Sequence, residues 1–530
     1  MRYKCGVNIL ALIRKEAFRV NAILRSRLGR GQRKNQRRLR AIEWEDQPEP
    51  MFAARNIQYG LADKTRGLAC GGIGAMHLLA RQSGLADAID RKLHLLKIHK
   101  PYHESDHVLN IAFNILCGGT CLEHIELRRN DEIFADALGA QRIPDPTTAG
   151  DFCRRFEVED VETLMNAINE TRVGVWRRQS PEFFDLAIID GDGALAPTTG
   201  ECKEGMDISY KGQWGYHPLI LSLANTGEPL YLVNRSGNRP SHDGATQWYD
   251  RAIELCLGAG FKRAMLRGDT DFTQTKALDG WHGRGVQFVF GVDARPNLVE
   301  MAESLENKAW KPLERKPQYT VRTQPRERRC NVKEAIVRAR EFENIRLKSE
   351  DVAEFDYAPG NCCRSYRIVV VRKNLSVERG EAVLFDDVRY FFYITNNRSM
   401  TASGVVRTAN DRCNQERLIG QLKGGVGALD MPVDNLVSNW AYMVMASLAW
   451  SLKIWFALSL PEDGRWRKKY KSEKDKVLRM EFQTFLNAFM NIPAQLIRTG
   501  RRIVYRVLAW NPWLDVLMRG VEALRRPLRC

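Results

Sequence analysis

The chain has 530 residues, of which 44% are hydrophobic and 27% are charged, as is usual for a globular protein with room for several domains. Its net charge of +17 is unusual and indicates a polyanionic partner, either nucleic acid or an anionic membrane surface. The twelve cysteines include no Cys-x-x-Cys pair and the nine histidines show no metal-ligand spacing, which argues against a disulfide scaffold and against a zinc finger.

The first 178 residues contain a basic segment followed by a helical one. Residues 1–40 hold thirteen Arg or Lys and a single acid, so we predict a basic N-terminal extension and linker over 1–50, either an arm that lies on DNA or a dispensable extension. Residues 51–178 repeat apolar side chains at three- and four-residue spacing. They are predicted to form a helical DNA-binding or dimerisation region, with a helical packing module as the alternative.

Residues 179–294 change to the pattern of a sheet. Three strand-like runs, FDLAIIDGD, HPLILSLAN and PLYLVNRSG, predict an antiparallel meander. A helix, the strand KRAMLRGDTDF, a short helix and the strand GVQFVFGVD follow. The order β-β-β-α-β-α-β predicts an α/β fold, with an RNase H-like mixed five-strand sheet as the first part of a catalytic core.

The second part of that core is predicted at 400–460, after a β-rich insertion subdomain at 295–399, which is too long for an ordinary loop. Residues 461–530 are predicted to be a basic helical C-terminal region. The apolar run at 441–460 could suggest a membrane span, but it contains Lys453 and no second span accompanies it. A buried core helix is the better interpretation, and we expect no membrane partner.

Three acids that are far apart in the sequence are predicted to converge. Strands one and four of such a sheet lie side by side and end at Asp192 and Asp269, while the helix after strand five can supply Glu416 from the segment NDRCNQERLIGQLKGG. Asp190 is a weaker candidate for the first acid, on the same face as Asp192. Clustered carboxylates repel unless cations neutralise them, and Mg²⁺ or Mn²⁺, as two ions, would suit phosphoryl transfer on DNA.

Two cations accompany the third acid. If residues 410–425 form one helix, Arg412, Glu416 and Lys423 share a face, where Arg412 and Lys423 would contact DNA phosphates. The alternative is an Arg–Glu pair on a solvated helix, which contributes only tenths of a kcal/mol.

These motifs resemble the DDE-type insertion-sequence transposases whose third acid lies in a Tyr-x2-Arg-x3-Glu-x6-Lys signature. Arg412, Glu416 and Lys423 match that spacing, whereas Ala409 replaces the tyrosine, and Ala194 replaces the threonine of the family's Asp-x-Asp-x-Thr strand end. The family's R-x-D-S-x-F pattern is matched by RGDTDF, which gives Asp269.

The resemblance implies cut-and-paste movement of an insertion sequence in the bacterial cytoplasm, at the nucleoid. Its implied partners are double-stranded DNA with terminal inverted repeats, target DNA and a second copy of the chain. The alternatives are a nuclease without strand transfer and an inactive DNA-binding relic of a transposase.

Overall fold

A computed structural model describes residues 25–40, 51, 54, 57–59, 65–313, 332–379, 382–499 and 502–525. Most of the predicted N-terminal extension, 1–24 and 41–50, lies outside the described residues. The chain divides into two compact units. Unit 1 holds 1–175, 424–428 and 445–530, and unit 2 holds 176–423 and 429–444.

Helices occur in both units. In chain order they are α1 (25–38), α2 (Ile73–Gln82), α3 (Leu85–Lys92), α4 (Glu104–Leu116), α5 (Ile125–Arg129), α6 (Glu132–Leu138), α7 (Pro146–Cys153), α8 (Val158–Trp176), α9 (Ala245–Ala259), α10 (Thr275–Gly283), α11 (Pro296–Glu303), α12 (Val332–Ala339), α13 (Ala402–Asn410), α14 (Cys413–Gly424), α15 (Leu436–Leu458), α16 (Arg467–Arg479), α17 (Phe482–Phe485) and α18 (Leu514–Leu524).

The strands are concentrated in unit 2. In chain order they are β1 (Gly67–Leu68), β2 (Ala187–Gly193), β3 (Ala196–Pro197), β4 (Asp207–Ile208), β5 (Trp214–Tyr216), β6 (Leu219–Leu223), β7 (Glu228–Val233), β8 (Ala264–Gly268), β9 (Gln287–Val292), β10 (Lys311–Pro312), β11 (Glu343–Tyr357), β12 (Tyr366–Arg379), β13 (Ala382–Thr395), β14 (Ala494–Thr499) and β15 (Arg502–Val507).

Unit 2 is built on a nine-stranded mixed sheet with the order β10-β11-β12-β13-β9-β8-β2-β6-β7. Strands β2, β6 and β7 form the predicted antiparallel meander. Strand β8 pairs with β2 in parallel, and β9 pairs with β8 in parallel. Strands one and four of the predicted core are therefore neighbours, as the element order indicated, and their carboxyl ends lie at the same sheet edge.

The insertion is part of this sheet, because its last strand, β13, pairs antiparallel with β9. The predicted five-strand sheet is therefore too small. The inserted strands also share an apolar core with the central strands and with α13. Such burial of β-branched side chains stabilises a sheet through packing. The buried members of that core are Met265, Val289, Val352, Val369, Val371, Val405 and Val406.

Unit 1 is mostly helical in its first part, as the spacing of apolar residues predicted, but its C-terminal region is not entirely helical. Strands β14 and β15 form an antiparallel hairpin, and β14 also pairs with β1. The prediction of a helical region over 461–530 is wrong for this hairpin. The two strands, AQLIRT and RIVYRV, are rich in β-branched residues, which favour strand geometry.

Helix α15 is long and apolar enough to cross a membrane, but its apolar window is entirely buried in the protein. Within unit 1, the Lys453 ammonium donates to the carbonyl of Leu478 at 2.7 Å and lies 4.2 Å from the centre of the Trp450 ring. A buried cation is tolerated where it has such partners. The burial agrees with the interpretation of this segment as a core helix.

Candidate active site

The two aspartates of β2 have different surroundings, although they lie on the same face of the strand. Asp190 is 1% exposed and accepts two hydrogen bonds from Arg267, from Nε at 2.7 Å and from Nη2 at 2.8 Å. Burial raises the pKa of Asp190, and the Arg267 guanidinium opposes that shift. Both oxygens of Asp190 are thus engaged by one buried arginine, which makes Asp190 a structural partner of the neighbouring strand.

Asp192 lies two residues further along β2, at the sheet edge. In the parallel pair, Asp190 is opposite Arg267, so the next residues on this face, Asp192 and Asp269, follow on adjacent strands. The two side chains are 15% and 34% exposed, respectively. The strand register therefore brings the first two predicted acids together at a solvent-accessible edge.

One arginine links these two acids. Nη1 of Arg412 donates to Oδ2 of Asp192 at 2.9 Å, and Nη2 of Arg412 lies 3.9 Å from Oδ2 of Asp269. The other oxygen of each aspartate accepts from a nearby backbone N–H, of Gly193 at 2.9 Å and of Asp271 at 3.1 Å. These backbone contacts fix the two carboxylates so that their Oδ2 atoms face the same cation.

The electrostatics of the pair favour a cation at this position. Burial raises the pKa of Asp192 to about 6; Arg412 opposes that shift, and the charge of Asp269 adds to it. Burial also raises the pKa of Asp269, again against the effect of Arg412 and with the help of Asp271. Burial lowers the pKa of Arg412, but the charges of Asp192, Asp269 and the other nearby acids outweigh it and leave that pKa raised.

Glu416 is placed by helix α14. The preceding residue, Gln415, is 1% exposed, and its Nε2 donates to the carbonyl of Ile220 at 3.0 Å, while its Oε1 accepts from the hydroxyl of Ser222. Ile220 is the register partner of Asp192. Gln415 therefore fixes the first turn of α14 beside β6, and the exposed Glu416 follows it.

Arg412 was predicted to share a helix with Glu416, and this is wrong. The helix begins at Cys413, so Arg412 lies in the turn between α13 and α14. A hydrogen bond from β8 fixes the end of α13 just before that turn, because Nη1 of Arg267 donates to the carbonyl of Thr408 at 3.0 Å. The charge of Glu416 still acts on Arg412. The guanidinium reaches Asp192 and Asp269 from the turn rather than from the face of the helix.

The carboxylate oxygens of the three predicted acids do not all lie close together. Among the described residues, the one group of three His, Cys, Asp or Glu side chains whose ligand atoms all lie within 4.8 Å of one another is found elsewhere, at His99, His103 and Glu104. The two aspartates meet at one arginine, and Glu416 interacts with that arginine from the solvent side. Their oxygens are the hard donors that Mg²⁺ or Mn²⁺ prefers, so the donor set fits such an ion.

Lys423, the last predicted site residue, is exposed near the end of α14. Partial burial and the charge of Lys211 lower its pKa. Lys423 also acts electrostatically on His217, whose Nδ1 hydrogen-bonds to the carbonyl of Arg239 at 2.7 Å. A Cβ at Gly193 would lie 2.7 Å from Nε2 of this histidine, so the glycine after Asp192 allows the ring to approach the strand.

The model of the transposase DDE domain, group 1, matches residues 69–528. The chain belongs to this family. It is thus a DDE transposase, an enzyme that acts on DNA, as the spacing of Arg412, Glu416 and Lys423 led us to expect.

No curated protein matches the transposase in sequence. Among solved structures, it is similar to a piggyBac transposase synaptic complex with hairpin DNA, determined by cryo-EM. The two are 11% identical, the TM-score is 0.35, and the match covers 81% of this chain and 84% of the other. A TM-score this low does not define the fold, so the assignment rests on the family match.

At two positions the transposase differs from the family signature, and both positions carry an alanine. Ala194, at the threonine position, is 4% exposed just after β2. Ala409, at the tyrosine position, lies on α13 and packs against the shared apolar core of unit 2. Sequence reasoning missed Gln415 and Arg267, since a glutamine in a polar helix and an arginine in an apolar strand carry no signal of their partners.

Proposed function

We propose that this transposase catalyses cut-and-paste movement of an insertion sequence, by metal-dependent cleavage of DNA strands followed by strand transfer. The observation that carries the proposal is that one guanidinium bridges Asp192, on β2, and Asp269, directly after the adjacent parallel strand β8. We regard the arrangement of β2, β6, β7, β8 and β9 as RNase H-like. In that arrangement the two aspartates lie at the carboxyl edge of the sheet, where both are partly exposed.

Asp192, Asp269 and Glu416 are the residues that would hold Mg²⁺ or Mn²⁺, as two ions. Their side chains offer carboxylate oxygens at a partly buried edge, where burial raises the pKa of both aspartates because it disfavours the charged form without a further cation. When bound, such ions stabilise the negative charge on the attacking and leaving oxygens of phosphoryl transfer.

The reaction needs no external energy source. In cleavage, a water oxygen forms a bond to the scissile phosphorus, and the bond to the 3′ oxygen breaks, which leaves a 3′-hydroxyl and a 5′-phosphate. In strand transfer, that 3′-hydroxyl attacks a phosphodiester of the target, so one phosphodiester replaces another. The work of the protein is to position the DNA and to stabilise charge.

Arg412 and Lys423 are proposed to contact the DNA phosphates. Arg412 contacts the acids from the turn before α14, and Lys423 lies near the end of the same helix that carries Glu416. The Arg412 guanidinium neutralises the aspartates in the protein alone and can turn towards a phosphate when another cation takes over that role. Arginine suits this change because its planar fork matches carboxylates and phosphates equally well.

The further partners follow from the same proposal. They are double-stranded DNA with terminal inverted repeats, target DNA and a second copy of the chain. The site of action would be the bacterial cytoplasm, at the nucleoid. We propose that the helical region 51–178 binds DNA or dimerises, and that the basic region 461–530 assists it. The net charge of +17 supports a polyanionic partner of this kind.

A strand-transfer assay tests the proposal against its alternatives. Full-length protein is incubated with Mg²⁺ and a duplex that ends in the inverted repeats flanking its gene, together with supercoiled plasmid. Joined products with target duplication support cut-and-paste movement. Cleavage without joined products indicates a nuclease, and end binding without cleavage indicates an inactive relic.

A further inference from the structure

Two histidines and a glutamate meet at the start of helix α4, in unit 1. One ligand atom from each of His99, His103 and Glu104 lies within 4.8 Å of the others. The imidazole rings of His99 and His103 are stacked, with centroids 4.2 Å apart and planes at 9°. The spacing of the histidines had given no sign of a metal site, because the loop rather than a helix brings these residues together.

The glutamate is held in a fixed position. Glu104 is 1% exposed, and its Oε1 accepts from the backbone N–H groups of Leu95 at 3.0 Å and of Leu96 at 2.9 Å. Its Oε2 lies 3.0 Å from Nε2 of His99. One oxygen is thus fully used to orient the carboxylate, and the other faces the histidines. Such backbone support of a carboxylate is what orients a ligand before metal enters.

The start of α4 is rigid as well. Ser105 donates to Asp90 from its backbone N–H and from its hydroxyl, both at 2.8 Å, and the backbone N–H of His103 donates to Asp106 at 2.9 Å. The backbone of His103 and Glu104 is therefore fixed at the first turn of the helix. The two imidazole rings are exposed, so they can still reorient.

We propose that His99, His103 and Glu104 bind one Zn²⁺ ion, with solvent at the fourth position. Two imidazoles and a carboxylate form a donor set that zinc favours, and three protein ligands leave one position open. Zinc lies near the plane of each imidazole it binds, so the stacked rings must tilt apart. Zinc binds an unprotonated imidazole nitrogen, so His99 would bind through Nε2 as the neutral tautomer that carries its proton on Nδ1.

The site has a structural consequence for its neighbourhood. The loop between α3 and α4 also carries Lys97 and Lys100, which line a cavity of about 570 Å³ together with Arg142 and Arg155. Bound zinc would join the middle of this loop, at His99, to its end at His103 and Glu104, and so restrict the loop that carries the two lysines. The zinc site is independent of the proposed transposase reaction, because it shares no residue with the active site.

Cobalt titration of the full-length protein tests this site. Asp192→Ala and Asp269→Ala are introduced together first, so that the active-site acids do not compete for the ion. We expect this parent to bind one equivalent of Co²⁺ with the visible absorption of tetrahedral coordination, and Zn²⁺ to abolish that absorption. His99→Ala and His103→Ala, added to the parent, should each weaken binding by about 100-fold or more.

His94→Ala is the matched control, since His94 is an exposed histidine of the same loop that is outside the cluster. Its binding should equal that of the parent. Circular dichroism checks that each variant is folded, which the exposure of both histidines favours. The proposal is overturned if the parent shows no saturable tetrahedral signal, or if His99→Ala and His103→Ala keep it.

Discussion

Arg412 bridges Asp192 and Asp269, at 2.9 Å from the first carboxylate and 3.9 Å from the second. Asp192 belongs to β2 and Asp269 directly follows the adjacent parallel strand β8, whereas the arginine belongs to a turn more than 140 residues later in the chain. A buried pair of acids is costly without positive charge, so the guanidinium stabilises the pair in the protein alone. The same need for charge is what would draw a divalent cation to this edge.

Asp190 should be essential for stability rather than for chemistry. Asp190→Asn leaves the buried Arg267 without its charged partner, so we expect the free energy of unfolding to fall by about 3 to 5 kcal/mol. Denaturant titration measures this loss. The control is Asp185→Asn, which breaks the exposed pair with Lys262 and should cost less than about 1 kcal/mol. Equal losses in both variants would contradict the structural role of Asp190.

The raised pKa of Asp192 predicts how stability depends on pH. Between the usual value of 3.8 and the raised value of about 6, the folded protein binds more protons at Asp192 than the unfolded chain does. This group therefore lowers stability as pH rises through that window. Without divalent ions, Asp192→Asn should be more stable than wild type at pH 7, by about 1 to 3 kcal/mol.

The difference should vanish when the pH is lowered below 3.8, because Asp192 is then protonated in both states. Urea titrations of both proteins at a series of pH values measure it. A wild-type protein that is more stable than Asp192→Asn at neutral pH, without metal, would show that Arg412 outweighs the cost of burying the carboxylate.

Arg412 should compete with divalent ions. Arg412→Ala removes the positive charge next to Asp192 and Asp269, so the protein should bind Mn²⁺ more tightly, by about tenfold or more. Titration calorimetry without DNA measures the affinity. The control is Arg417→Ala, which removes an exposed arginine from the same region. Weaker Mn²⁺ binding by Arg412→Ala than by the control would mean that Arg412 orients the aspartates for the ion and does not compete with it.

Lys423 should act through DNA phosphates. Lys423→Ala is expected to weaken binding to duplex ends and to reduce the slope of log K against log salt concentration by about 1, as the loss of one phosphate contact does. Fluorescence anisotropy over a range of salt concentrations measures the slope. Lys262→Ala is the control, because Lys262 precedes β8 and so lies at the opposite sheet edge from Asp269. An unchanged slope for Lys423→Ala would remove it from the DNA contact.

The strand order and the pairing of two acids could be predicted from the sequence because both depend on local patterns. The run AIIDGDG is a short apolar run that ends in acids, as expected for a buried strand, and the order of elements placed it beside the strand that ends at Gly268. The choice between Asp190 and Asp192 could not be made, since both lie on one face. Only the partner on β8, Arg267, distinguishes them, and the register that selects it is a tertiary property.

The remaining differences have the same origin. The periodicity of residues 410–425 is helical, yet the chain turns at Arg412. The carbonyl of Thr408, four residues earlier, accepts a hydrogen bond from Arg267 instead of continuing the helix. Gln415 and His103 likewise owe their roles to partners distant in the sequence or set by loop conformation. The β14–β15 hairpin was missed because its apolar residues do not alternate with polar ones, so their spacing suits a helix as well as a strand.

Metal-dependent cleavage of an end-sequence duplex by single-site variants tests the central claim most directly. Asp192→Ala, Asp269→Ala and Glu416→Ala should each lower the rate of the first cleavage by at least about three orders of magnitude, because each removes a ligand that supplies several kcal/mol of charge stabilisation. Their affinity for the duplex should stay close to that of wild type. Asp271→Ala, an exposed acid two residues after Asp269, should cleave at nearly the wild-type rate. Cleavage near wild-type rates by any of the three variants, or an equal loss in Asp271→Ala, would contradict the assignment of this site.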